Sequence, residues 1–130
     1  MPHIIIEVTP GLAHIVDVDT TLCVIHATLA DEGLAEMDDL KSRVHLCPMK
    51  LAGDDAGAEF IVAHLITTND RPLSSLRRMG DIIHGALVRA IERHEMPFWW
   101  QCCVLLEPTS KSKYLKTDSR HAGGMSFSLG

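Results

Sequence analysis

Two stretches, HIIIEVT at residues 3–9 and FIVAHLIT at residues 60–67, decide how this chain is organised. In the first, Ile4, Ile5 and Ile6 follow one another, so neither side of a strand over residues 3–8 is polar. In the second, Phe60, Val62 and Ile66 alternate with Ile61, Ala63 and Leu65, again leaving both faces apolar over a strand of residues 58–67. Such runs suit strands covered on two sides. Their separation of about sixty residues suggests an internal duplication, carried by hydrophobic pattern more than by identity.

Working outward, each stretch is followed by a helical signal and then a further strand. Asp17 and Asp19 supply a cap and a first-turn acid for a helix over residues 19–31, with Leu22, Ile25 and Leu29 at helical spacing and Gly33 as its stop. A strand over residues 41–47 alternates, Arg43, His45 and Cys47 facing one way and Ser42, Val44 and Leu46 the other. Leu51 to Gly57, with Gly53, Asp54 and Asp55, reads as a turn. Asn69-Asp70-Arg71-Pro72 announces a long helix whose inward stripe is Leu76, Ile83, Leu87 and Ile91. Met96-Pro97 ends it, and residues 98–106 form the fourth strand. Residues 108–130 form a Ser-, Lys- and Gly-rich irregular tail on an otherwise single domain of residues 1–130.

The order is β-α-β twice: an α/β (α+β) arrangement with a four-stranded mixed sheet and two helices on one face. The strand composition leaves a second apolar face, which predicts a closed homo-oligomer whose sheets cover one another.

The formal net charge is −5, which speaks against nucleic acid or an anionic membrane as partner. A small anionic substrate needs a local cationic pocket against that overall sign. No stretch has the roughly 20 apolar residues of a membrane span, and Met1-Pro2-His3-Ile4 does not open a signal peptide. Cys23, Cys47, Cys102 and Cys103 show no C-x-x-C spacing and read as reduced thiols of a cytoplasmic protein. The eight histidines lack metal-ligand spacing, so no metal is expected. Asp38-Asp39 reads as a solvated turn, and Trp99 and Trp100 as core packing.

Pro2 carries the most chemistry. Initiator methionine is commonly removed before a small residue such as proline, and a free prolyl amine results. An α-amino group titrates at about 7.7–8.0, and burial lowers it. Such a nitrogen is neutral near physiological pH and able to take a proton from one substrate atom and return it to another. The strand at residue 3 fixes this amine in place. A proline at position two is otherwise merely permissive sequence.

Taken together, MPHIIIE, KSRVH (residues 41–45) and the run from Phe60 through His64-Leu65 to Arg71, continuing through Leu73, Ser75 and Gly80, resemble 5-carboxymethyl-2-hydroxymuconate isomerases of the tautomerase superfamily. The resemblance spans about two-thirds of the chain. It implies a tautomerase-like duplicated β-α-β fold assembled as a trimer. It also implies proton transfer on a 2-hydroxymuconate-type dicarboxylate within aromatic-compound breakdown, with neither metal nor organic cofactor. Pro2 is then the base and Arg71 holds a carboxylate or the developing enolate, its planar fork matching a carboxylate. Lys41 stands where the family places an arginine, and Arg43 on the same strand face supports or replaces it. The small anionic partner is a 2-oxo or 2-hydroxy dienoate. Other readings are a different tautomerase-superfamily reaction on another 2-oxo acid, such as a dehalogenase or decarboxylase, or a non-enzymatic ferredoxin-like ligand-binding module. In the bland alternatives, Arg71 is a helix-entry residue paired with Asp70 or solvent, and Lys41 and Arg43 lie on a solvated strand edge.

Overall fold

A computed structural model describes residues 1–120. The chain runs β1 (His3–Val8), α1 (Pro10–Ile15), α2 (Val18–Asp31), β2 (Lys41–Leu46), β3 (Glu59–Thr67), α3 (Leu73–Glu92) and β4 (Trp100–Pro108). The sheet order is β2-β1-β3-β4. β1 and β2 are parallel, β3 and β4 are parallel, and the two halves meet through the antiparallel β1–β3 pair. Each half is therefore a β-α-β unit, as the two quoted stretches imply. Among the described residues, no helix is long and apolar enough to cross a membrane.

Local chemistry accounts for the helix ends. Asp17 caps α2 by accepting from the Thr20 amide at 3.1 Å and the Thr20 hydroxyl at 2.7 Å. These bonds hold its carboxyl below the ordinary range. At the other end the Leu34 amide reaches back to Leu29 O and the Gly33 amide to Ala30 O, each at 3.0 Å. This closing motif needs a left-handed residue, and Gly33 supplies it with φ +70°. Pro72 is the residue before α3, and its carbonyl accepts from the Ser75 and Leu76 amides.

The core lies between the sheet and the helices. Ile4, Ile6 and Val8 of β1 and Ile61, Ala63 and Leu65 of β3 are fully or almost fully buried against Ile25 and Leu29 of α2 and Met79, Ile83, Leu87 and Ile91 of α3. Burying each large aliphatic side chain stabilises the fold by about 1.5–3 kcal/mol.

Several expectations are corrected. The sequence reading missed α1, a six-residue helix after Thr9-Pro10 that buries only Leu12. β4 begins and ends two residues later than the pattern suggests, at Trp100 and Pro108. Trp100 packs against the core, but Trp99 is 52% exposed and is not a core residue. The second sheet face is not uniformly apolar. Ile5, Phe60, Val62 and Ile66 are partly buried there, but Glu7, His64 and Glu107 interrupt them. His64 bridges the two carboxylates, Nε2 at 2.9 Å from Glu7 and Nδ1 at 2.6 Å from Glu107. Those bonds, Glu7 first, raise its pKa above the usual imidazole value. The final residues of the predicted tail, 121–130, lie outside the described residues.

Candidate active site

β1 starts where β3 ends, so the antiparallel register brings the chain's first residues against the Thr67-Thr68 corner. The parallel register of β2 places Lys41 beside His3, and the Lys41 amide donates to the Pro2 carbonyl at 3.1 Å. Pro2 is buried. Its neighbour Met1 is pinned: the terminal amine donates to Thr68 Oγ1 at 2.8 Å, and that hydroxyl donates to the Met1 carbonyl at 3.0 Å. The Tyr114 hydroxyl meets the Met1 Sδ at 3.5 Å.

An open cleft of about 580 Å³ lies over this corner. Met1, His3, Lys41, Tyr114, Lys116 and Arg120 line it, together with Asp38. Three segments thus converge on the start of β1: the head of β2, the turn at Met37–Asp39, and the segment from Ser110 to Arg120. Asp38 and Asp39 are more than a solvated turn. Arg120 pairs with Asp38 at 3.2 Å and Lys116 with Asp39 at 3.7 Å, while the Lys41 ammonium donates to the Asp38 carbonyl.

The cleft lining carries three basic side chains, Lys41, Lys116 and Arg120, against two carboxylates, Asp38 and Asp118, in a chain of net charge −5. Burial lowers the pKa of the terminal amine; Asp39 opposes this, while Arg71, Lys116 and Lys41 add to it. His3 shifts down for the same reasons, burial first and then Arg43. His26, held at 2.6 Å from the Ser42 hydroxyl, is depressed by burial and then by Lys41. Partial burial is the first cause of all three shifts, and neighbouring cations add to each.

Of the residues singled out in the sequence, Lys41 lines the cleft and its amide bonds the carbonyl of the buried Pro2, whereas Arg71 lies outside the lining and bears on this corner through its charge on the Met1 amine. Arg71 is half-buried and does not pair with Asp70 as its bland reading supposes. It donates through Nη1 to Leu34 O at 2.7 Å, which ties the end of α2 to the entry of α3. Its Nε–H is buried and has no partner. Arg43 stands one step away, Nη1 at 3.2 Å from His3 Nδ1, outside the cleft lining. Thr68, Tyr114, Lys116 and Arg120 were not foreseen. The one available clue was basic residues recurring at 111, 113, 116 and 120 in an acidic chain.

No family model matches the sequence, and no curated protein does. The fold nevertheless has counterparts among solved structures. In particular, the chain is similar to a 5-carboxymethyl-2-hydroxymuconate isomerase from Deinococcus radiodurans R1, with TM-score 0.79 and 16% identity over 92% of this chain and 91% of that one. A 5-carboxymethyl-2-hydroxymuconate delta-isomerase gives TM-score 0.78 and 15% identity over 93% and 91%. A fused 4-OT described as a symmetric trimer gives TM-score 0.56 and 7% identity over 82% and 85%. At these identities the likeness establishes the fold.

Proposed function

We propose that this protein is a cofactor-independent isomerase of 2-hydroxymuconate-type dicarboxylates, with the amine of Pro2 as its base once Met1 has been removed. The observation that carries the reading is the position of Pro2: buried at the head of β1, between Met1 and His3 of the cleft lining, where burial and then nearby cations already lower the pKa of an amine one residue away. Burial and the same cations act on the prolyl nitrogen, keeping it neutral and ready to accept a proton.

In the reaction, the nitrogen takes the proton of the 2-hydroxyl group and returns it to a distal carbon, giving the 2-oxo isomer. Lys41 lines the cleft and offers one carboxylate a point charge, and Arg71, outside the lining, would turn its buried, unpaired Nε–H to the other. Arg43 acts through His3, adding to the positive potential without touching substrate. The setting is cytoplasmic breakdown of aromatic compounds. The protein assembles as a homotrimer through the sheet face that carries Ile5, Val62 and Ile66, which the helices leave open.

Purified protein whose intact mass lacks one methionine residue is expected to ketonise 2-hydroxymuconates well above the buffer rate and to sediment as a trimer at micromolar concentration. Equal turnover by protein that keeps Met1 removes Pro2 from the chemistry. Inactivity of the processed protein on every 2-hydroxy dienoate refutes the reading as a whole.

A further inference from the structure

Met1 occupies the place that its removal opens, and its contacts mark what the place is built to hold. Thr68 is 4% exposed, and both of its hydroxyl bonds go to Met1. It accepts from the amine at 2.8 Å and donates to the carbonyl oxygen at 3.0 Å. That carbonyl carbon is bonded to the Pro2 nitrogen, so standard bond lengths put the Thr68 oxygen within about 6 Å of the prolyl nitrogen. When Met1 leaves, the hydroxyl loses both partners at once. A buried hydroxyl aimed at the base is left without a bond, a condition that folded proteins avoid unless a ligand or water completes it.

We infer that Thr68 is a catalytic residue of the proposed reaction, donating a hydrogen bond to the substrate's 2-oxygen while Pro2 removes that oxygen's proton; the inference rests on the reading of Pro2 as base. A gap of up to about 6 Å between hydroxyl and amine accommodates two hydrogen bonds end to end, each about 2.7–3.0 Å, and therefore one oxygen atom between them. The carbonyl oxygen of Met1 stands in for that atom. As the substrate O–H bond breaks, its proton forms an N–H bond on Pro2 and its electron pair stays on oxygen, where the Thr68 O–H holds it. The N–H proton then forms the new C–H bond at the distal carbon, the oxygen becomes the 2-oxo group, and the amine is free again. No other reactant is consumed.

This assignment makes Thr68 a donor to developing negative charge, which acts on the transition state more than on the ground state. Thr68→Val keeps the branched shape and removes the hydroxyl. It is expected to lower kcat on a 2-hydroxymuconate on the order of 10²-fold with little change in KM. Thr68→Ser is expected to keep most of the activity, and Thr68→Cys, a weak donor, to fall between. Because the serine and cysteine variants grade the donor without emptying the site, the series reads out even if the valine variant folds poorly. Wild-type kcat in Thr68→Val, or a serine variant as impaired as the valine one, overturns the role of Thr68 while leaving Pro2 untouched. Wild-type processed protein that is itself inactive overturns the base, and the inference with it.

Discussion

The two ends of the central β1–β3 pair treat buried charge in opposite ways. At one end, Glu59 is almost fully buried and every polar atom around it is used. Lys50 reaches it at 2.5 Å and also donates to the carbonyls of Ala56 and Ala58 at 2.8 Å each. The Gly11 amide donates to Glu59 at 2.6 Å, and glycine is required there because a Cβ would sit 2.6 Å from the Glu59 carboxyl carbon. Burial alone would raise the Glu59 pKa, but Lys50, Thr9 and the Gly11 amide outweigh it and the net shift is downward. At the other end, around Pro2, an Arg71 donor is unpaired among the described residues, and two exposed cations, Arg120 and Lys116, pair with Asp38 at 3.2 Å and Asp39 at 3.7 Å. A closed network makes structure; an open one waits for a ligand.

The comparison breaks first at Pro2. Pro2→Ala is expected to fold and assemble normally but to lose roughly 10²–10⁴ in kcat, the range for a positioned base. A primary amine on a freer residue is placed and titrates differently from the ring nitrogen. Circular dichroism and sedimentation check the first half of the prediction, and spectrophotometric turnover the second. Undiminished turnover would leave the open end without its defining group.

Glu59→Gln tests the closed end and should move stability instead of rate. It leaves the Lys50 charge buried without its carboxylate, and the loss is expected to be about 3 kcal/mol. The figure is at the low end for a broken buried pair because Lys50 keeps its two carbonyl bonds. The pH dependence has a definite sign. The folded pKa of Glu59 is depressed, so its contribution is complete above the unfolded carboxylate value and is lost as pH falls through the folded one. Urea melts at pH 7 should separate variant from wild type, and the gap should narrow at strongly acidic pH. Per-molecule turnover of folded variant at pH 7 should be unchanged.

The legibility of the two ends from sequence differs for the same physical reason. β1, α2, β3 and α3 announce themselves through local periodicity and caps, because each buries one face with its own residues, while β2, an exposed edge strand, shows only its alternation. α1 escapes because six residues with one buried leucine carry no period; the sole trace is Thr9-Pro10, an extended residue followed by proline at the first helical position. β4 is displaced because Phe98 and Trp99 read as strand, and because Pro108 is tolerated at the last position of an edge strand. Pro2, Lys41 and Arg71 are candidates that resemblance and residue chemistry put forward. Thr68, Tyr114 and Lys116 were not legible, since only the crossing of the β1 start with the β3 end and the return of residues 110–120 bring them together. The Lys50–Glu59 pair, nine positions apart across a turn, was equally silent.

Arg71 joins the two kinds of chemistry in one side chain, and so it offers the finest cut. Its Nη1 bond to Leu34 O is structural, linking the end of α2 to the start of α3, whereas its Nε–H is buried without a partner and is the donor proposed for a substrate carboxylate. If only the first mattered, Arg71→Ala would lower stability and reduce turnover of all substrates alike. If the second matters, a dicarboxylate should lose roughly tenfold or more in kcat/KM, the worth of a charge-assisted hydrogen bond of about 1.5–3 kcal/mol. A monoacid such as phenylenolpyruvate should lose less. Arg71→Lys sharpens the test, because lysine keeps the charge but loses the fork. It should restore part of the rate and little of the preference for two carboxylates, since preference depends on geometry, whereas the share of Arg71 in lowering the amine's pKa depends on its charge. Equal losses on both substrates in both variants would assign Arg71 to the closed kind of network, and the cleft would then hold its second carboxylate through Lys116 or Arg120 instead.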